Sequence, residues 1–280
     1  MVVGQLYRQV RDQFRKAQLS TPELDARRLV GAGLGLALSD LLLKEDEQVT
    51  AVDEARVLAF AEQRLEGMPV GRILGEREFY GRTFHLNEAT LEPRPDTETL
   101  IEAVLERCDR TEPSMMCDIG TGTGAIAVTL LSELPMSQML AVDLSERALV
   151  CAQENARLHN VDARFWPVCA DYVSALREGL DWVISNPPYI RTAVLSALST
   201  EVVQHDPILA LDGGEDGLKA YGEIVTGAKK LLRPGGWIAL EIGFDQASDL
   251  KKQLRHHGFG AIEIIKDLSG NDRVVVARGT

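Results

Sequence analysis

The 280-residue sequence predicts an α/β protein in which a large domain, built on an open and mostly parallel sheet, follows a small all-helical one. Three observations carry this expectation. Beyond residue 93, short apolar runs alternate with helical patterns, as βαβ units require. One such run, residues 115–119, leads into Gly120-Thr121-Gly122-Thr123-Gly124 and then a helical stretch at 125–131. That is a strand, glycine loop and helix, a place where backbone approaches a ligand with no Cβ atoms in the way. Residues 1–75, in contrast, carry helical periodicity alone.

In chain order, Val3, Leu6, Tyr7, Val10 and Phe14 recur at helical spacing. Ser20-Thr21-Pro22-Glu23 reads as a helix start, with Ser20 and Glu23 at capping-box spacing and proline in the first turn. Residues 50–66 repeat the helical pattern, which Gly67 and Pro69 close. No catalytic cluster lies in residues 1–75, so this domain reads as a substrate-recognition or positioning element, the plain alternative being a structural cap. Residues 76–92 form a linker in which aromatic and β-branched residues flank Gly81, a hairpin pattern. The catalytic domain then spans 93–280. It opens on Pro93-Arg94-Pro95-Asp96-Thr97-Glu98, where Asp96 or Thr97 would cap a helix. Capping leaves Arg94, held extended between two prolines, unexplained. Strands are expected at 115–119, 139–143, 163–168, 182–185 and 236–242. A last pair, 261–265 and 273–277, is joined by Ser269-Gly270-Asn271-Asp272 and is expected to be antiparallel.

The second strand ends in Asp143, 23 residues after Gly120. A carboxylate at that strand tip is placed to take two ribose hydroxyls. Gly120, Gly122 and Ala125 also fit the dinucleotide pattern, so a nicotinamide enzyme has to be weighed. Gly124 and Asp118 favour S-adenosylmethionine instead, a cofactor with no pyrophosphate but with an ammonium and a sulfonium that carboxylates offset.

The most specific signal is Asn186-Pro187-Pro188-Tyr189 after the apolar run 182–185. Two prolines fix φ, remove two donors and push their predecessors out of the helical region. The Asn186 side-chain oxygen and the Pro187 carbonyl then become two acceptors for the two hydrogens of a planar –NH2 group. Holding both hydrogens turns the nitrogen lone pair toward an electrophile, and Tyr189 is placed to stack on the planar group. The bland reading is a turn with a surface tyrosine. The glycine loop upstream, at the carboxyl end of a neighbouring strand, counts against it.

Composition narrows the partners. A net charge of −12 leaves few cations to neutralise phosphates, and Lys229-Lys230 through Arg233 is explained by a helix end. No apolar run approaches the ~18 residues of a membrane span, and the first residues lack the apolar core of a signal peptide. Cys108, Cys117, Cys151 and Cys169 have no C-x-x-C pairing, so free thiols in a reducing cytoplasm and no metal site are expected.

The residues PRPDTE at 93–98, DIGTGTGAIA at 118–127, AVDLSERAL at 141–149, SNPPYI at 185–190, LALDGGEDGL at 209–218 and LEIG at 240–243 resemble the HemK/PrmC family along the whole chain. The glycine loop is generic to class I S-adenosylmethionine-dependent methyltransferases, whereas PRPDTE with NPPY is specific. The resemblance implies a Rossmann-like fold and methyl transfer to the side-chain amide nitrogen of the glutamine in the Gly-Gly-Gln loop of class 1 peptide chain release factors. It implies S-adenosyl-L-methionine bound by Asp118, Gly120, Thr121, Gly122, Thr123, Gly124, Asp143 and Asn186, with adenine near Asp171 and Tyr172. Substrate glutamine would meet Asn186, Pro187, Pro188 and Tyr189, with Asn186 and Pro187 acting on the amide. A cytoplasmic monomer that needs neither nucleic acid, membrane nor metal is expected. The family often has Trp where this chain has Tyr172, and an aliphatic residue where it has Glu92. Rival readings are a glutamine methyltransferase of a ribosomal protein, an N6-adenine methyltransferase of nucleic acid and a non-catalytic cofactor-binding adaptor.

Overall fold

The helical spacing of Val3, Leu6, Val10 and Phe14 puts all four on the buried face of α1 (Val3–Lys16). The computed structural model describes residues 1–198 and 200–280. The chain divides into two units, Met1–Glu76 and Arg77–Thr280. In the first, α1 is followed by α2 (Pro22–Leu34), α3 (Asp40–Leu43), α4 (Ala51–Leu65) and α5 (Val70–Leu74). Leu6, Val10, Phe14, Leu29, Val30 and Val57 form its core. A Cβ added at Gly33 would sit 2.5 Å from Val57 Cγ2, so α2 and α4 approach closely because position 33 has no side chain.

The capping box expected at Ser20 and Glu23 does not form. The cap of α2 is Thr21, whose hydroxyl donates to Asp25 Oδ1 (2.8 Å) rather than capping the helix, and Glu23 pairs with Arg15. The competing partner is the Asp25–Arg64 ion pair (2.8 Å), whose two side chains are 8% and 4% exposed. Orienting that pair outweighs a cap. Thr50 does cap α4, accepting from Asp53 N at 3.1 Å.

A hairpin, β1 (Glu76–Phe79) and β2 (Arg82–His85), begins at the last residue of the first unit and leads into the second, turning on Tyr80 and Gly81 at φ 50° and 68°. Phe79 and Phe84 point into the larger unit's core with rings 6.1 Å apart, so the hairpin expected as a linker contributes to that core. There follow α6 (Glu98–Leu105), β3 (Met115–Ile119), α7 (Ala125–Glu133), β4 (Gln138–Asp143), α8 (Glu146–Leu158), β5 (Phe165–Cys169) and β6 (Leu180–Ser185). After them come α9 (Thr192–Leu195), α10 (Thr200–His205), α11 (Lys219–Leu231), β7 (Leu232–Glu241), α12 (Ala247–His256), β8 (Phe259–Lys266) and β9 (Asp272–Gly279).

β3 to β9 form one seven-stranded sheet in the order β5-β4-β3-β6-β7-β9-β8. Strands β5, β4, β3, β6 and β7 run parallel, and β9 pairs antiparallel with both β7 and β8. Both faces are covered, one by a core that includes Leu100, Ile101, Leu130 and Leu131, the other by one that includes Tyr221, Ile224, Leu250 and Leu254. That is why β6 is buried at every position. The order reverses between β3 and β6, the switch point where open sheets of this kind hold ligands.

Truncating one member of a buried ion pair strands the other charge, at a cost of about 3–5 kcal/mol. Asp25→Ala should therefore destabilise the helical unit by that order in chemical denaturation. A loss under 1 kcal/mol would show the pair to be dispensable.

Candidate active site

Strand register places the sequence-predicted residues in one row. Ile119 pairs with Ser185, which pairs with Leu240, and Ile119 also pairs with Val142. One residue further on, Asp143, Gly120, Asn186 and Glu241 stand side by side at the carboxyl ends of β4, β3, β6 and β7. Cys169 pairs with Asp143, so Asp171 and Tyr172 follow just beyond the same edge. Ser185 Oγ donates to the Ile119 carbonyl (2.6 Å), tying together the two strand ends that flank the switch point.

The glycine loop is held before any ligand arrives. Gly120 N and Thr121 N donate to the Val142 carbonyl at 2.8 and 2.9 Å, and Gly122 N donates to Asp143 Oδ2 at 2.9 Å. Asp143 Oδ1 accepts from Ser145 N at 2.9 Å, so each oxygen keeps a lone pair for one more donor. Gly120, Gly122 and Gly124 all have positive φ. A Cβ at Gly120 would meet nothing within 4 Å, whereas one at Gly124 would press on Ala152 Cβ at 3.1 Å. Gly120 therefore faces open space, while Gly124 is needed for the contact with α8. The buried Thr123 accepts from Asn155 Nδ2 through its carbonyl (2.9 Å), an inward contact that anchors the loop. Asp118 is fully buried, its Oδ2 accepting from Thr121 Oγ1 (2.7 Å), with a smaller backbone hydrogen bond from Ala127. Burial pushes its carboxyl up to about 7, against the Thr121 hydrogen bond. Tyr172 takes a left-handed φ of 46° and is half-buried, with Asp171 exposed beside it.

An open glycine face, the Asp143 carboxylate at its rim and the buried Asp118 carboxyl beneath form a cradle that fits a cationic adenosine cofactor. The loop carries no Lys or Arg to meet a pyrophosphate.

On the other side of the switch point, Asn186 Nδ2 donates to Thr97 Oγ1 at 3.1 Å. No described residue donates to Asn186 Oδ1 or to the Pro187 carbonyl, so the two acceptors expected from the sequence are both unspent. Thr97, the cap position of α6, makes no side-chain capping bond, and the capping role expected for it gives way to this contact with Asn186. Tyr189 turns its hydroxyl inward to Glu241 Oε1 (3.3 Å), and burial together with that carboxylate raises its phenol, which stays neutral. Its carbonyl accepts from Gln246 Nε2 (3.1 Å). Gly213 and Gly217 lie against the turn. Added Cβ atoms would come within 2.9 Å of the Pro188 carbonyl oxygen and 2.5 Å of the Tyr189 oxygen. The LALDGGEDGL segment therefore clamps the turn by backbone contact.

Arg94, unexplained by capping, pairs with Asp206 at 2.7 Å. Beside it a cavity of about 390 Å³ is lined by Leu91, Pro95, Asn186, Pro187, Tyr189 and Leu211 among others. The sequence reading did not single out Glu241, Gln246, Tyr221, whose hydroxyl donates to the Glu241 carbonyl (2.9 Å), or Arg273, which pairs with Asp96 (3.2 Å) and Asp267 (3.0 Å). The LEIG motif held a buried glutamate at a strand end, which was the one available signal for Glu241.

Residues 95–270 match the family model described as Methyltransferase small domain, and residues 5–75 match PrmC N-terminal domain. A release factor glutamine methyltransferase of Agrobacterium fabrum is 41% identical over 272 residues, covering 96% of this chain and 94% of that protein. The chain belongs to the release factor glutamine methyltransferase family. Another member, from Bradyrhizobium diazoefficiens, is 43% identical over 270 residues, covering 95% of this chain and 91% of its own. Among solved structures, the T. thermophilus 16S rRNA N2 G1207 methyltransferase in complex with AdoMet and guanosine has the same fold. It is 19% identical, with a TM-score of 0.51, over 73% of this chain and 50% of that one. The fold expected from the sequence, a class I methyltransferase sheet with a helical N-terminal region, is the one observed.

The raised Asp118 carboxyl has a stability consequence. The folded state holds this proton up to about pH 7, against an ordinary value of 3.8, so it binds the proton more tightly than the unfolded chain does. Its contribution to stability is full below the lower value and is lost as pH rises toward 7. In melts from pH 4 to 8, Asp118→Asn should gain on the parent as pH rises and level off above about 7. A gap constant across that range would contradict the assignment.

Proposed function

We propose that this protein transfers a methyl group from S-adenosyl-L-methionine to the side-chain amide nitrogen (N5) of the glutamine in the Gly-Gly-Gln loop of class 1 peptide chain release factors. The observation that carries the reading is the pair of unspent acceptors, Asn186 Oδ1 and the Pro187 carbonyl, one strand away from the glycine cradle. Family membership supplies the substrate.

S-adenosylmethionine, when bound, supplies an electrophilic methyl group. Gly120, Thr121, Gly122 and Asp143 would hold it, with Asp118 beneath and Asp171 and Tyr172 toward the adenine. Gly124 and Thr123 serve by packing the loop onto α8. The glutamine amide donates its two N–H groups in hydrogen bonds to Asn186 Oδ1 and the Pro187 carbonyl, which turns the nitrogen lone pair toward the cradle. As the N–C bond forms the methyl would part from its sulfur, and one amide proton would then leave to solvent. Amide resonance makes that nitrogen a poor nucleophile, so orientation carries much of the rate. Pro188 stiffens the turn and the Tyr189 ring lines the cavity beside it. An enzyme acting on release factors would work where translation ends, in the cytoplasm, as a monomer and on a protein rather than on nucleic acid. The helical residues 1–75 would recognise the folded substrate away from the reacting centre, binding energy that can be used in the transition state.

Incubation with labelled S-adenosylmethionine and purified release factor, with the mark located by mass, tests the reading. A ribosomal protein labelled in place of release factor would overturn it. Asn186→Ala should abolish methylation with cofactor affinity mostly kept. Asp143→Ala should weaken cofactor binding roughly ten- to a hundredfold, the loss of about 1.5–3 kcal/mol, with saturated turnover little changed. Calorimetry and turnover assays separate the two, and exchanged phenotypes would refute both roles.

Deleting residues 1–75 should leave cofactor affinity within a few-fold and strongly reduce methylation of intact release factor. A short Gly-Gly-Gln peptide should be an equally poor substrate for both forms. Unchanged activity on the intact factor would reduce the segment to a structural cap.

A further inference from the structure

Beneath the Asn-Pro-Pro-Tyr turn lies a carboxylate with no role in the reading above. Glu241 is 1% exposed, one strand over from Asn186. Its Oε1 accepts from Tyr189 at 3.3 Å, and among the described residues none is in hydrogen-bond geometry with its Oε2. The Thr97 hydroxyl stands next to this carboxylate and stabilises its charged form through a side-chain hydrogen bond. On its other side, Thr97 Oγ1 accepts from Asn186 Nδ2 at 3.1 Å. The three side chains thus come from three separate segments: the PRPDTE stretch, the turn after β6 and the end of β7.

The two ends of an asparagine amide are nearly the same size, so packing alone does not decide which way it faces. Hydrogen bonding does. An ionised carboxylate only accepts, and a hydroxyl has one proton to give. We propose that Glu241 and Thr97 are positioning residues that set the orientation of the Asn186 amide. Thr97 gives its proton to the Glu241 carboxylate and so can only accept from Asn186 Nδ2. Asn186 Oδ1 is left facing the substrate amide. In the flipped orientation an –NH2 group would oppose the –NH2 of the glutamine, donor against donor. The inference rests on the proposed amide chemistry.

The relay has a direction only while Glu241 is ionised. The titratable groups around it are Asp96, Tyr189, Tyr221 and Arg273. Burial pushes Glu241 up to about 7, with Thr97, Arg273 and Tyr189 pulling the other way and Asp96 adding to the rise. A protonated Glu241 could donate to Thr97 and reverse the chain, so turnover should fall as pH drops through that range.

The test compares Thr97→Val, Thr97→Ser and Glu241→Gln in the full-length protein, each checked for cofactor affinity and thermal melting. Thr97→Val should lower kcat by about 10²-fold, the order expected for a misplaced reacting group, with cofactor affinity kept. Thr97→Ser should restore most of the loss. Glu241→Gln should lower kcat and abolish the acidic limb of its pH profile. Independently of activity, the Asn186 side-chain –NH2 signals can be assigned in NMR spectra by their absence in Asn186→Ala. They should exchange slowly in the parent and in Thr97→Ser, and faster in Thr97→Val. A parent-like kcat in Thr97→Val, or a failure of serine to rescue, would overturn the relay. So would equal exchange in parent and Thr97→Val, whether or not the protein methylates glutamine. If the parent transfers no methyl to glutamine, the functional reading falls, and the exchange data still judge the relay.

Discussion

Everything at the candidate site depends on the pairing register of four parallel strands. Because β4, β3, β6 and β7 are locked to one another by main-chain hydrogen bonds, their next residues form a row with neighbours about 4.8 Å apart. A shift of one residue in any of these strands would turn every side chain on it to the opposite face. Register is protected here because both faces are buried, so a slipped strand would drive polar groups into one of the two cores. The position of Asp143, Gly120, Asn186 and Glu241 therefore follows from core packing more than from loop design.

Much of this was legible in the sequence. The glycine loop, Asp143 and the Asn-Pro-Pro-Tyr turn announce themselves because each breaks the local pattern of its strand. All three fall where a parallel sheet places its ligands. The antiparallel last pair was legible from its short Ser-Gly-Asn-Asp connection. Local patterns misled where a distant partner outcompetes a near one. Ser20 and Glu23 had capping-box spacing, yet Thr21 serves Asp25 because Asp25 needs orienting toward Arg64, 39 positions away. Thr97 looked like a cap and instead meets Asn186, 89 positions away. Glu241 was hidden for the same reason, since a strand's last residue says nothing of what stands beside it.

Glycines at the site do three different jobs that the sequence writes alike. Gly120 faces open space, Gly124 leaves room for a helix, and Gly213 and Gly217 leave room for the backbone of the turn. Only the surroundings of each tell them apart. Within the GTGTG stretch the glycines have different surroundings, since a Cβ at Gly124 would press on Ala152 of α8 while one at Gly120 would meet open space.

The two backbone hydrogen bonds to the Asp143 carboxylate bear on how a ligand would enter. A loop already pinned at Gly122 and Ser145 has few conformations left to lose, so little ordering entropy is spent when it is filled. Association with such a cradle resembles fitting into a rigid mould rather than the folding of a flexible strand around its guest. The Asp143 carboxylate, pinned by Gly122 and Ser145, thus sets in advance the shape of the space at its rim.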